Sequence, residues 1–224
     1  MQNSDKGPHP MGKYTRGQSH VHPAWRWVSD RGLRVPTGEA TLACYGTLVS
    51  QDFPEVEDII PADDSLLLVL RRGECVSAEL AAMLTSPPAD APVSSGRLLE
   101  IAVEYGGRAG PDLPVVADLA GIDPAAYIKR HSDADYKVAF LGFQPGFPYL
   151  RGLPDVLRTP RRASPRVRVA AGSVAVGGVY TGIYPAAGPG GWHIIGRTAA
   201  VLFDPQRDAP ALMKPGDRVR FVPQ

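Results

Sequence analysis

The chain opens without a hydrophobic rhythm. From Met1 to about Pro36, Gly, Pro, Ser, His and charged residues alternate with no apolar period, which predicts a tail over residues 1–36. Trp25 and Trp27 are expected to dock that tail onto the domain behind it. Thr41 to Val49 then reads as a first strand, Val56 to Pro61 as a second, and Leu66 to Leu70 as a third, an apolar run of buried type ending at Arg71-Arg72-Gly73. Ser77 is placed to cap a helix from Ala78 to Leu84, where Leu80, Ala81 and Leu84 fall at helical spacing and Pro87-Pro88 stops the run. Residues 37–90 therefore predict a small α+β domain.

A Pro/Ser/Gly stretch at 91–96 predicts a linker, and residues 97–224 a second domain. Leu98 to Tyr105 alternates as a strand. Gly110-Pro111-Asp112 starts a helix with Leu113, Val116, Ala117 and Ala120 on one face, ended by Gly121. Asp123 caps a further helix with Pro124 at its first position, running to about His131. From Tyr136 onward the pattern is short strands and turns: Tyr136 to Leu141, Val167 to Ala170, Ser173 to Val176, Ile194 to Ile195, Ala199 to Phe203 and Arg218 to Val222. Many short strands with two helices predict an α+β chain whose second domain is a closed barrel flanked by helices.

Composition changes this picture little. With 44% hydrophobic residues among 224, a core is available. Lys+Arg 24 against Asp+Glu 23 leaves a net charge of +1, so no global field draws nucleic acid or an anionic membrane. Gly 24 and Pro 23 act as turn punctuation. Cys44 and Cys75 have no partner at metal or redox spacing and read as reduced core cysteines. No run is long and apolar enough for a signal peptide or a membrane span, so the chain reads as cytoplasmic. Gly7 to Lys13 almost spells a phosphate loop, but Tyr14 stands where Ser or Thr is needed and no strand precedes it. His20 and His22 in a tail make a poor metal site, and no metal is expected.

The special residues concentrate in two segments. Phe140-Leu141-Gly142-Phe143-Gln144-Pro145-Gly146-Phe147-Pro148-Tyr149-Leu150 packs aromatics into a turn where Ser, Asn or Asp would be ordinary. Pro189-Gly190-Gly191-Trp192-His193-Ile194-Ile195-Gly196-Arg197-Thr198 feeds another aromatic into a strand. Gly188 to Gly191 could aim N–H groups at an oxyanion, or form a hairpin turn needing positive φ. His131, at the end of its helix, could be held charged by the carbonyl ends there, or be a plain helix-end histidine. Arg161 and Arg166 flank a proline-rich turn, with Arg162 and Arg168 nearby, and offer planar donor forks for carboxylate or phosphate; for Arg162 and Arg168 a solvated loop is the expectation.

With Thr159-Pro160-Arg161-Arg162, Pro165-Arg166, Ala171 to Val174 and Thr181 to Pro185, these segments resemble subunit 1 of the allophanate-hydrolase/carboxyltransferase family, over a stretch from Ile101 to Val219. That family includes a 5-oxoprolinase subunit and an inhibitor of a sporulation kinase. The resemblance implies a cyclophilin-like barrel, a partner subunit 2/C, a possible third subunit, and ATP used by the complex. The reaction it implies is opening of the lactam of 5-oxo-L-proline to L-glutamate. His131, Arg161 and Arg166 match family positions, which implies a catalytic His131 acting as proton donor or charge partner. Substrate binding is implied for Arg161, Arg166, Gln144, Gly146, Tyr184, Gly190, Gly191 and Arg197, while the His193 position varies. Two other roles stay open: a non-catalytic inhibitor of a sensor histidine kinase, and an allophanate- or urea-degrading carboxyltransferase subunit. Members usually carry a full helix between the first two strands, and only Ser50 to Glu55 stands there on the strand reading above.

Overall fold

The computed structural model describes residues 25–85 and 96–224; Gly7 to Lys13, His20, His22 and nearly all of the 91–96 linker lie outside them. The first unit runs β1 (Arg26–Trp27), β2 (Gly32–Pro36), α1 (Thr41–Gln51), β3 (Val56–Pro61), β4 (Ser65–Leu70) and α2 (Ala78–Thr85). Its sheet has the order β1-β2-β4-β3. Residues 25–36, read from sequence as tail, instead begin this sheet, because Leu33 and Val35 are buried on either side of Arg34 and make a short period-2 pattern. Trp25 is buried in the same core and Trp27 packs against it.

Thr41 to Val49, read from sequence as a strand, is helix α1. Thr41, Cys44 and Leu48 are its buried positions, a spacing of three and four. Its Thr41 hydroxyl donates to the Gly38 carbonyl at 2.7 Å, and Asp52 ends the helix with φ +48. The helix lies in the chain between β2 and β3, so a full helix does precede Val56–Pro61, where the strand reading left only Ser50 to Glu55. Ser77 does cap α2, its Oγ accepting from the Leu80 N–H at 3.1 Å. Cys44 is buried in this core, but Cys75 is exposed, contrary to the core reading.

The second unit contains β5 (Leu98–Tyr105), α3 (Leu113–Leu119), α4 (Pro124–Asp133), β6 (Tyr136–Leu141), β7 (Pro148–Arg151), β8 (Arg166–Val169), β9 (Ser173–Gly177), β10 (Tyr180–Ile183), β11 (Gly188–Gly190), β12 (His193–Arg197) and β13 (Arg218–Pro223). Seven strands close a barrel in the order β10-β7-β6-β13-β5-β12-β9, with β8 and β11 paired as a separate ribbon. Asp123 caps α4 by accepting from the Ala126 N–H at 2.9 Å. Ala199 to Phe203 is not a strand; it contributes only a bridge from Phe203 to Ala211, since a closed barrel leaves no free edge for it.

Strand alternation sorts side chains into two layers. Val103, Val138, Val174, Val176, Ile195 and Phe221 belong to the main core that fills the barrel. Ala139, Ala175 and Ile194, their neighbours along the strands, belong with Phe147, Val169, Tyr184 and Trp192 to a second cluster outside it. The β8–β11 ribbon and the 142–147 loop cover that outer layer. The two units meet where Arg151 and Tyr180 of the barrel bond Asp63, in the turn between β3 and β4.

Candidate functional site

The outer layer is a mesh of rings laid on glycines. Phe140 stacks on Tyr149 with centroids 4.3 Å apart, and Trp192 meets Phe147 and Tyr149 edge to face at 5.6 Å. A Cβ at Gly177 would stand 2.7 Å from the Trp192 ring, and one at Gly190 would collide with Tyr184 Oη, so both strands must present bare backbone here. At Gly188 the neighbour is Gln144, whose Nε2 lies 2.5 Å from where a Cβ would sit. Phe143 is 58% exposed at the tip of its loop and holds φ +64, a backbone region most side chains avoid.

Beside this mesh sits a carboxylate that sequence reading took only as a helix start. Asp112, 5% exposed, precedes α3. Its Oδ1 accepts from Arg166 Nη2 at 2.7 Å and from Arg162 Nη1 at 3.2 Å; its Oδ2 accepts from the Ile194 N–H at 2.7 Å. Burial would raise this carboxyl, but the Arg166 hydrogen bond, the Ile194 N–H and the charges of both arginines hold it below the usual carboxylate range. Arg162 is therefore part of the cluster, not a solvated loop residue. Arg161 is separate: its guanidinium carbon lies 6.0 Å from the Trp192 ring centroid, a cation–π arrangement.

Among the described residues, four buried side-chain polar atoms have no hydrogen-bond partner: Gln144 Oε1, Arg162 Nε, Arg166 Nη1 and His193 Nδ1. All four belong to this region. Arg162 and Arg166 share Asp112. His193 precedes Ile194, whose N–H the same carboxylate holds. Gln144 packs on Gly188, two residues along β11 from Gly190, which pairs with Arg166; that step is roughly 7 Å. Native interiors leave few such atoms unpaired, because each costs about 1–3 kcal/mol. Two donors and two acceptors thus stand unpaired around Asp112 and the start of β12.

Other sequence expectations are corrected. His131 is not held charged. Its ring is fully buried in the barrel core, stacked 4.7 Å from Phe221. Nε2 donates to Thr181 Oγ1 at 3.0 Å, because the Thr181 hydroxyl itself donates to the Ala175 carbonyl; Nδ1 accepts from Tyr105 Oη at 2.8 Å. Burial lowers its pKa to about 3, so the ring is neutral and committed to holding α4 against the barrel, away from the arginine cluster. Gly188 to Gly190 forms strand β11, not a turn or nest; neither Gly190 nor Gly191 is among the residues with positive φ, and the Gly191 carbonyl accepts from the Arg162 N–H at 2.8 Å. Gly146 has φ +77 and packs under Phe203, a structural demand. Arg197 is exposed at the far end of β12, roughly 13 Å along the strand from His193. Tyr184 is buried behind Gly190 with its hydroxyl accepting from the Trp192 backbone.

Neither helix of the second unit offers a phosphate cradle. Helices α3 and α4 open on Asp112 and Asp123, placing carboxylates where a phosphate requires bare N–H groups. A cavity of about 580 Å³ lies under the 200–214 segment, lined by Arg97 and Arg207, which pair with Asp217 and Asp204, and by Lys214.

Fold and site together define the class: a two-unit α+β protein whose closed barrel carries on its outer layer a carboxylate-braced arginine pair. The family model of the carboxyltransferase domain, subdomain C and D, matches residues 25–213, and the chain belongs to that family. Among its relatives is a protein of Escherichia coli O157:H7 named as the B subunit of 5-oxoprolinase, 49% identical over 175 residues, covering 77% of this chain and 80% of that protein. Another of the same name, from Haemophilus influenzae, is 52% identical over 127 residues, 57% of this chain and 60% of the relative. The crystal structure of TTHA0988 superposes with a TM-score of 0.74 at 37% identity, covering 87% of this chain and 40% of that longer one. No helix among the described residues is long and apolar enough to cross a membrane.

Proposed function

We propose that this chain is the B subunit of a cytoplasmic, ATP-dependent 5-oxoprolinase, which opens the lactam of 5-oxo-L-proline to L-glutamate with a subunit 2/C homologue and a third subunit. The Escherichia coli and Haemophilus influenzae relatives carry that subunit's name. The observation that carries the reading is the chemistry of the unpaired atoms. 5-Oxoproline places a carboxylate beside a ring N–H. Arg162 Nε and Arg166 Nη1 are open donors suited to the carboxylate, while Gln144 Oε1 and His193 Nδ1 are open acceptors suited to an N–H. Asp112 fixes both guanidinium planes, so the donors are aimed before the ligand arrives. ATP serves the complex; this chain's part is to bind and orient the lactam acid.

The test is co-expression with both partner subunits, followed by 5-oxo-L-proline and ATP. Release of glutamate and ADP is expected; a complete, folded complex that releases neither overturns the assignment.

One observation favours a second reading, a non-catalytic inhibitor of a sensor histidine kinase. Phe143 is exposed at a strained loop tip, as a docking aromatic would be. Phe147, the other ring such a patch would use, is buried. Loss of kinase autophosphorylation on adding the protein would select this reading.

A further inference from the structure

His193 begins β12 with its ring 7% exposed. Its Nε2 lies 3.1 Å from the Pro160 carbonyl oxygen. A carbonyl only accepts, so Nε2 carries the proton in a neutral ring and Nδ1 presents a lone pair. That Nδ1 is buried and has no partner. The next residue, Ile194, gives its N–H to the same Asp112 that aligns Arg162 and Arg166. An open acceptor is thus fixed beside two open donors.

From this juxtaposition we infer that His193 Nδ1 is the specificity-determining acceptor for the ring N–H of the lactam, which lets the site take a cyclic amide and turn away its oxygen-ring counterpart. This rests on the 5-oxoprolinase reading. In 5-oxoproline the N–H and the carboxylate are attached to the same carbon, so an acceptor for the first must adjoin the donors for the second. His193 meets that condition. Gln144, on the Gly188 side of β11, does not share Asp112, and 5-oxoproline has no second N–H for its Oε1. The charged groups facing His193 are Asp112 at the start of α3, Arg162 before β8 and Arg166 on β8. Burial and the two arginines lower its pKa against the pull of Asp112, so the ring stays neutral and Nδ1 stays open at neutral pH.

The experiment is calorimetric titration of the assembled complex, without ATP, with 5-oxo-L-proline and with 5-oxotetrahydrofuran-2-carboxylate, which keeps the carboxylate and carbonyl but replaces the N–H by oxygen. Wild type is expected to prefer the lactam by about tenfold. His193→Phe loses the preference but still binds the lactone, which also reports a folded site. His193→Gln, with an amide oxygen as acceptor, recovers it. A second measurement needs no variant: the wild-type preference holds at pH 7 and fades only on acidification below the ordinary histidine range, where Nδ1 takes a proton. Preference unchanged in His193→Phe, or lost instead in Gln144→Ala, overturns the inference and leaves the function standing. Binding of neither ligand by wild type overturns the functional reading, and the inference with it.

Discussion

Asp112 and His131 mark the two ways a buried titratable group is kept in this protein. Asp112 is charged because two arginines and a backbone N–H surround it. His131 is neutral because burial in the core penalises the charged ring, and a tyrosine and a threonine satisfy both its nitrogens. The two therefore respond to acid in different windows. An unfolded chain protonates His131 below its ordinary value of about 6.5, while the native ring waits until about 3. Stability falls as pH drops through that interval, by about 2 kcal/mol between pH 7 and 5. His193, also lowered, adds to the slope. Asp112 contributes stability that is complete above the ordinary carboxylate pKa and is lost only at lower pH, as the native carboxyl protonates. Urea unfolding at pH 7 and pH 5 is expected to show the loss in wild type and a shallower one in His131→Gln; an unchanged slope in the variant would mean the ring is not held neutral.

The elements reveal why some of this was legible in sequence and some was not. Strands β3 to β6 and the caps at Ser77 and Asp123 announce themselves through local periodicity and capping chemistry. Helix α1 does not: Thr41, Thr47 and Val49 are β-formers, and the buried spacing of Cys44 and Leu48 is diluted by Gly46 and Tyr45. Strand β11 is Gly-Pro-Gly, which reads as a turn and forms a strand because aromatic and Gln side chains must lie on it. Arg166 was legible as a binding candidate. Asp112 was not, because its partners stand 50, 54 and 82 residues away. At this scale Gly190→Ala is the decisive change. The added methyl meets Tyr184 and forces the ribbon off the barrel, at a cost of about 1–3 kcal/mol. Thermal unfolding should show a lowered Tm, partly recovered by pairing the change with Tyr184→Phe, which removes the hydroxyl that the added methyl meets. An unaltered Tm in the single variant would show that the ribbon yields freely.

Across the whole molecule, Asp63 ties the small unit to the barrel through Arg151 and Tyr180, on strands that also back the aromatic mesh. The mesh, the ribbon and the braced arginines then form one wall on the barrel's outer layer. The TTHA0988 chain, of which this chain covers 40%, shows that the fold also occurs within a longer polypeptide. A wall completed by further polypeptide fits that setting. Its central element is the arginine pair held by Asp112, and one titration tests it. Binding of 5-oxo-L-proline to the assembled complex is measured against 2-pyrrolidinone, the same lactam without its carboxylate, in wild type and in Arg166→Gln. Wild type should bind the acid and not the bare lactam, and Arg166→Gln should weaken the acid by about tenfold or more. Equal binding of both lactams, or an acid affinity untouched by Arg166→Gln, would contradict the account.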